Sequence, residues 1–342
     1  MNQAFIQNAV PTTKIMITHS CIMPFEPFRI AWSSPFSAET RLAVGSFEKS
    51  NVNFMKIIKF VGPSAINESE IRLPYPVCNI KFCPHGINDN SDRMITCGDN
   101  LKLWQISTDS VQLVSDVQTS PKKIPLTSFD WSIFQENLVL VGGTDGAATA
   151  VDVGTGQIAA RIIAHDHPIH DISFCGTSPT FLTASFDGSL RFFDLRDLQS
   201  SFIYYQTAMP LMRIEVSPYD SNLIAMFSRD SQAVTVVDTR HPGVPVNTCE
   251  AGDSPITCIG WSKLQPNLLF WSTRDCCLCN ATLGEAMAPQ ANVLQRTSAP
   301  IECFANGHSV LAETLANRVD IIKYISPDFS QNLHIPISML LE

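Results

Sequence analysis

The sequence predicts an all-β fold, a seven-bladed β-propeller, and three observations predict it. A short strand-end signature recurs along the chain as Trp32-Ser33, Phe82-Cys83, Trp131-Ser132, Phe174-Cys175, Val216-Ser217, Trp261-Ser262 and, more weakly, Phe304-Ala305. Successive signatures are 50, 49, 43, 42, 45 and 43 residues apart, close to the roughly 40–45-residue period of four-stranded propeller blades. Each is followed by a β-rich run and a turn, and no long amphipathic helical stretch separates them. A doubly wound α/β fold needs such helices.

Taken in order, residues 1–12 read as an extension and residues 13–21, TKIMITHSC, as a strand outside the first unit. Paired beside the strands of the last unit, that strand closes the ring and covers a sheet edge. The β-rich runs are RLAVGSF at 41–47, MITCGDNLKLW at 94–104, NLVLVGGTDGAATAVD at 137–152, NLIAMFSRDSQAVTVVD at 222–238, NLLFWSTRDCCLCNA at 267–281 and SVLAETLANRVDII at 309–322. The two longest intervals carry surplus residues in polar, turn-rich segments, 62–70 and 109–123, which read as extended loops. The ring so defined spans 13–324 as a single domain, and residues 325–342 read as a tail.

The fourth unit, residues 165–196, is the best formed. His165 precedes an apolar strand at 169–174, a turn with Gly176 and Pro179 leads to a second strand at 181–185, and Asp187-Gly188 offers a two-residue hairpin turn. A third strand at 190–194 closes on Phe193-Asp194, where the WD repeat has Trp-Asp. This spacing predicts that Asp187 meets His165 and Ser185, so that each buried polar group finds a partner. Ser228 stands two before Asp230, and Thr273 two before Asp275, in the same register. Asp99 and Asp145 occupy comparable turns with Cys97 and Gly143 at the hydroxyl position, so those networks are incomplete.

Composition bounds the function. Hydrophobic residues are 45% and charged residues 16% of the 342, ample for a core. A net charge of −9 argues against direct nucleic-acid binding. Eleven scattered cysteines suit reduced thiols in a cytoplasmic and nuclear protein. The N-terminus shows no secretory pattern, and no apolar run reaches membrane-span length.

Several stretches carry residue types associated with catalysis or metal binding, and none has the full pattern. His165, His167 and His170 nearly spell a metal-hydrolase motif, but Ile169 stands where that motif needs Asp. Cys276, Cys277 and Cys279 lack zinc spacing, because neighbours on a strand point to opposite faces. Ser185, His165 and Asp187 have the residue types of a hydrolase triad, yet this register buries them. Gly142-Gly143-Thr144-Asp145-Gly146 lacks a phosphate loop's lysine and helix. No catalytic residues, metal site or cofactor are expected.

Several stretches together resemble one group of WD-repeat adaptors, that of the plant transparent-testa-glabra protein and animal relatives that bind DYRK-type kinases. They are RLAVGSF at 41–47, PYP at 74–76, GDNLKLW at 98–104, PLTSFDW at 125–131, TGQ at 155–157, IAHDHPIHDISF at 163–174 and DGSLRFFDLRDL at 187–198. The resemblance implies a non-enzymatic scaffold that holds kinases or MYB-type and helix-loop-helix transcription factors. It also implies an alternative, a substrate receptor of a cullin-RING ubiquitin ligase. Such receptors carry a D-x-R ending on a blade's third strand, present here as Asp194-Leu195-Arg196 and Asp238-Thr239-Arg240. Metal-dependent hydrolysis at the histidines is the weaker third reading.

Overall fold

A computed structural model describes residues 14–34, 37, 39–61, 64–85, 92–107, 110–120, 122–250, 252–284, 288–307 and 310–325. Among them every regular element is a strand, and the strands form seven antiparallel four-stranded sheets. From the inner strand outward, blade 1 is Pro27–Trp32, Arg41–Ser46, Asn53–Val61 and Ser64–Leu73. Blade 2 is Asn79–Phe82, Asp92–Cys97, Leu101–Ile106 and Val111–Val117. Blade 3 is Leu126–Trp131, Leu138–Gly143, Ala147–Asp152 and Gln157–Ile163. Blade 4 is Ile169–Phe174, Thr180–Ser185, Ser189–Asp194 and Asp197–Gln206. Blade 5 is Leu211–Val216, Leu223–Ser228, Ala233–Asp238 and Pro245–Glu250. Blade 6 is Ile256–Trp261, Leu268–Thr273, Cys277–Thr282 and Asn292–Arg296. Blade 7 takes Phe304–Asn306, Val310–Leu315 and Arg318–Ile325 from one end of the chain and Lys14–Ile22 from the other.

That last pairing closes the ring. Lys14–Ile22 runs antiparallel to Arg318–Ile325, so both ends of the circle are fastened in one sheet. Neighbouring inner strands touch around the whole circuit, from blade 1 through blade 7 and back. A single blade leaves its apolar face bare. Seven apolar clusters among the described residues lie between consecutive blades, as where Ile95 and Leu103 of blade 2 meet Phe129 and Val139 of blade 3. Residues 1–12, expected as an extension, and the expected tail 325–342 lie outside the described residues, except that Ile325 ends the strand Arg318–Ile325.

Three sequence expectations are corrected. The segments 62–70 and 109–123 are not loops throughout, because most of their described residues form the outer strands Ser64–Leu73 and Val111–Val117. Outer strands face water on much of both surfaces, so they lack the alternation that reveals a half-buried strand. The seventh signature also moves. In six blades the N–H after the signature aromatic or valine bonds the carbonyl of the first or second residue of the second strand, as Ser132 N to Leu138 O at 3.0 Å; in blade 7 the residue so bonded is Gly307, at 2.8 Å. The equivalent of Trp261 is therefore Asn306, not Phe304. Finally, three residues rather than two separate the blade-4 hairpin strands, and Gly188 N–H closes the turn on Ser185 O at 3.0 Å. Gly188 has φ +78, and a Cβ there would stand 2.4 Å from Thr207 O, so only glycine fits.

The corrected register explains Asn306. Trp32 and Trp261 donate their indole N–H groups to main-chain carbonyls of the preceding blade, Ala305 O at 3.1 Å and Glu215 O at 2.9 Å. Asn306 does the same with its amide, donating to Trp261 O at 2.9 Å. The chemistry is kept while the aromatic ring is lost.

Candidate functional site

Each strand carries the chain from one rim of the ring to the other. The turn after the second strand and the turn after the third therefore open on opposite rims. Asp187 lies on the first of these, and the two D-x-R endings lie on the second, where the inner strands also finish.

At the first rim, His165 is 1% exposed and both its ring nitrogens are engaged. Nδ1 lies 2.9 Å from Asp187 Oδ2, and Nε2 lies 2.7 Å from Thr183 Oγ1. The carboxylate only accepts, so Nδ1–H donates to it and Nε2 accepts from the Thr183 hydroxyl. Ser189 Oγ donates to Asp187 Oδ1 at 2.6 Å. Burial, only partly offset by Asp187, pushes the His165 imidazole below its usual value, which keeps it neutral. Burial alone would raise the Asp187 carboxyl, but hydrogen bonds from Ser189 and His165 outweigh it and hold the carboxyl at about 2.

Ser185 differs from expectation. It is fully buried, and its hydroxyl donates to Pro168 O at 3.0 Å, while its oxygen receives Asp187 N–H at 3.3 Å. Thr183 and Ser189 take the places the sequence suggested for it. A buried hydroxyl turned toward a carbonyl is not a hydrolase nucleophile. Replacing Asp187 with alanine strands the His165 and Ser189 donors, and an unfolding free energy lower by about 1–3 kcal/mol is expected. Urea unfolding of the variant measures it, and an unchanged midpoint contradicts the placement.

The other turns diverge from this pattern. Thr273 Oγ1 donates to Asp275 Oδ1 at 2.5 Å. Asp230 has φ 55 and pairs with Arg274 at 3.3 Å, while Ser228 turns to Thr207 Oγ1 at 3.3 Å. Asp145 pairs with Arg161 at 2.5 Å, and Asp99 pairs with Lys102. His167 and His170 pack on Phe186 with centroids 6.0 and 5.9 Å away, and His170 Nδ1 donates to Leu211 O at 2.7 Å. Cys277 and Cys279 are buried between blades 5 and 6, and Cys276 occupies a turn with φ 67. Among the described residues, no three His, Cys, Asp or Glu side chains are arranged to hold a metal ion.

At the opposite rim both D-x-R arginines fold back on their own aspartates. Arg196 forks onto Asp194 through Nε–Oδ1 at 2.9 Å and Nη2–Oδ2 at 2.6 Å. Arg240 forks onto Asp238 in the same way and reaches Asp220 Oδ2 at 2.9 Å. Each guanidinium is held in plane yet stays 70% and 53% exposed. The aspartates, hydrogen-bonded by these arginines, are held below the usual carboxylate range. The result is two adjacent blades presenting oriented cations to solvent.

Between the rims runs a channel with a cavity of about 380 Å³. Its wall follows the corrected register. Three residues before each signature position stand Arg29, Asn79, Ser128, Asp171, Arg213, Cys258 and Cys303. One residue before it stand Ala31, Lys81, Asp130, Ser173, Glu215, Gly260 and Ala305. Polar contacts link successive blades around this wall, among them Asn79 to Ser128 at 3.2 Å, Ser128 to Asp171 at 2.6 Å and Lys81 to Asp130 at 2.7 Å. Burial pushes the Glu215 carboxyl up to about 7 and raises Asp171 as well. No single stretch of sequence exposes this wall, because the cavity takes its lining from distant segments in six blades, with Ser128 and Asp130 of blade 3 joined to it through Asn79, Asp171 and Lys81.

The ring, its register and its structural His165–Asp187 pair define a seven-bladed propeller of the WD-repeat class. No protein-family model matches the chain. Over 253 residues it is 31% identical to the DDB1- and CUL4-associated factor 7 homolog of Dictyostelium discoideum, covering 70% of this chain and 76% of that protein. A WD repeat-containing protein of Saccharomyces cerevisiae is 26% identical over 286 residues, and the chain spans about half its length, 54%. An uncharacterized WD repeat-containing protein of Schizosaccharomyces pombe is 26% identical over 304 residues, with 78% and 69% covered. The chain belongs to the WD-repeat protein family.

Proposed function

We propose that this chain is a non-catalytic scaffold that assembles protein complexes, with kinases or MYB-type and helix-loop-helix transcription factors as partners. The observation that carries the reading is the use of its polar groups: the residues with catalytic potential, His165, Ser185 and Asp187, are all engaged in holding one blade together. What remains for other molecules is two separated rims on a rigid ring. A scaffold of that form raises the effective concentration of one partner near another. The eleven free thiols support a reducing, cytoplasmic and nuclear setting.

A second reading has its own support, that of a substrate receptor in a cullin-RING ubiquitin ligase. The Dictyostelium relative is named for association with DDB1 and CUL4, and Arg196 and Arg240 stand oriented and exposed on adjacent blades of one rim. Affinity capture of the full chain separates the two. Kinases or helix-loop-helix proteins without a cullin adaptor support the scaffold, and a co-purified cullin adaptor supports the receptor. In a folded Arg196→Glu/Arg240→Glu variant, the receptor reading expects the cullin adaptor to be lost. Its retention rejects the role given to D-x-R.

A further inference from the structure

We propose that Cys258 and Cys303 form a reactive dithiol in the channel wall, which a hydroperoxide converts to a disulfide joining blades 6 and 7. The placement is geometric. The two cysteines occupy the same register position on neighbouring inner strands, three residues before Trp261 and Asn306 respectively. Those inner strands touch, and each thiol donates to the carbonyl of the residue after it, Cys258 Sγ to Ile259 O and Cys303 Sγ to Phe304 O, both at 3.7 Å. Both line the cavity of about 380 Å³, so a small oxidant reaches them without unfolding the ring.

Two further features tighten the pair. At Gly260, two residues from Cys258, a Cβ would stand 2.6 Å from Phe304 and 2.7 Å from Asn306, so a glycine lets the two inner strands approach closely. Blade 1 supplies the third member of the arrangement at the next equivalent position, Arg29. Its guanidinium lies 4.1 Å from the Phe28 ring centroid, its Nε donates to Cys78 O at 3.0 Å, and its charge acts on the Cys303 thiol. The neighbouring Cys258 and the Arg29 charge lower the Cys303 thiol despite its burial. Cys258 moves the other way, raised by Cys303 and by burial. Cys78, Cys175, Cys249 and Cys279 are all pushed up to about 11 or 12, chiefly by burial, which makes them poor nucleophiles.

The step balances. The Cys303 thiolate attacks one oxygen of hydrogen peroxide, the O–O bond breaks, and the departing hydroxide takes a proton to leave as water, giving a sulfenic acid at Cys303. The Cys258 sulfur, losing its proton, then attacks the Cys303 sulfur and expels hydroxide, which leaves as a second water. Two thiols are oxidised by two electrons, and one peroxide is reduced to two waters. A thiol reductant reverses the product by exchange.

The test uses the purified, reduced full chain exposed to a small excess of hydrogen peroxide, then blocked with a thiol alkylator and mapped without reduction. The proposal expects one cross-linked peptide pair containing Cys258 and Cys303, lost on treatment with dithiothreitol. It also expects Cys303 in the untreated chain to be alkylated at pH 7 about tenfold faster than Cys78 or Cys249. The Cys258→Ser variant should stop at a sulfenic acid on Cys303 that a 1,3-diketone traps, and Cys303→Ser should yield neither product. A disulfide mapped to Cys78 and Cys97, or both channel thiols still reduced after peroxide, overturns the proposal. So does equal alkylation of Cys303 and Cys78. Melting of the reduced serine variants alongside the parent chain shows that the ring is intact, and the alkylation comparison on the parent needs no variant at all.

Discussion

Replacing Arg41 with alanine will lower the unfolding free energy by about 3–5 kcal/mol, the scale for removing one partner of a buried ion pair. Arg41 opens the second strand of blade 1 and is 2% exposed. Its Nη1 lies 2.6 Å from Asp92 Oδ2 at the start of the second strand of blade 2, and Nη2 bonds Glu39. Glu39 keeps Lys59 when the guanidinium goes, but Asp92, 7% exposed, pairs with no other cation among the described residues. The loss therefore falls on one blade boundary and comes mainly from a desolvated carboxylate. Urea unfolding of Arg41→Ala measures the effect, and Arg41→Met/Asp92→Leu should recover much of it, because an apolar pair leaves no orphaned charge. A loss below about 1 kcal/mol in the single variant would place this pair in the range of exposed pairs and refute the argument.

The same boundary shows how far the sequence could be read. Residues 41–47 were legible as a strand and as part of a family-like block, but not as a buried arginine reaching the next blade, because Asp92 lies 51 residues on. Inner strands were legible at six of seven positions, since an aromatic or valine there repeats at blade spacing. Blade 7 slipped by two residues because Asn306 keeps the interblade hydrogen bond and discards the ring that signals it. Outer strands were hidden for a different reason. Phe202 and Ile203 are adjacent in Asp197–Gln206 and both more than half exposed, so no alternation marks that strand.

At the site, residue types were more legible than partners. His165 and Asp187 do meet, but the hydroxyl facing the ring belongs to Thr183, two residues before Ser185 on the same strand face. Side chains two apart share a face, so pattern alone cannot choose between them. The D-x-R motif was legible as a motif. Its geometry, with each arginine folded onto its own aspartate, depends on the turn that follows the strand. The channel wall was invisible until the register of all seven inner strands was fixed.

Glu313→Gln should stabilise the ring at alkaline pH and leave it nearly unchanged at pH 5. Glu313 is fully buried on the second strand of blade 7, opposite Asp320 of the third, and Gln295 of blade 6 donates to its Oε1 at 3.2 Å. Burial, with the Asp320 charge added and Arg318 only partly compensating, pushes its carboxyl up to about 8. Its Oε2 and the Gln295 Oε1 both lack hydrogen-bond partners as the side chains stand. A proton on Glu313 supplies the missing donor on that side. The sign follows from linkage: a folded value above the unfolded one of 4.5 means full stability below 4.5, loss as pH rises from there through about 8, and no further loss above it. Glutamine carries the neutral shape at every pH, so the variant escapes a penalty on the order of a few kcal/mol at pH 9. Glu215, raised to about 7 in the channel, acts in the same direction, so some alkaline slope remains in Glu313→Gln. His165 and Asp187, both lowered, act oppositely: their contributions are complete above 6.5 and 3.8 and are lost on acidification. Urea midpoints of the parent and Glu313→Gln between pH 5 and pH 9 decide the matter. Parallel curves would mean that Glu313 does not titrate with unfolding.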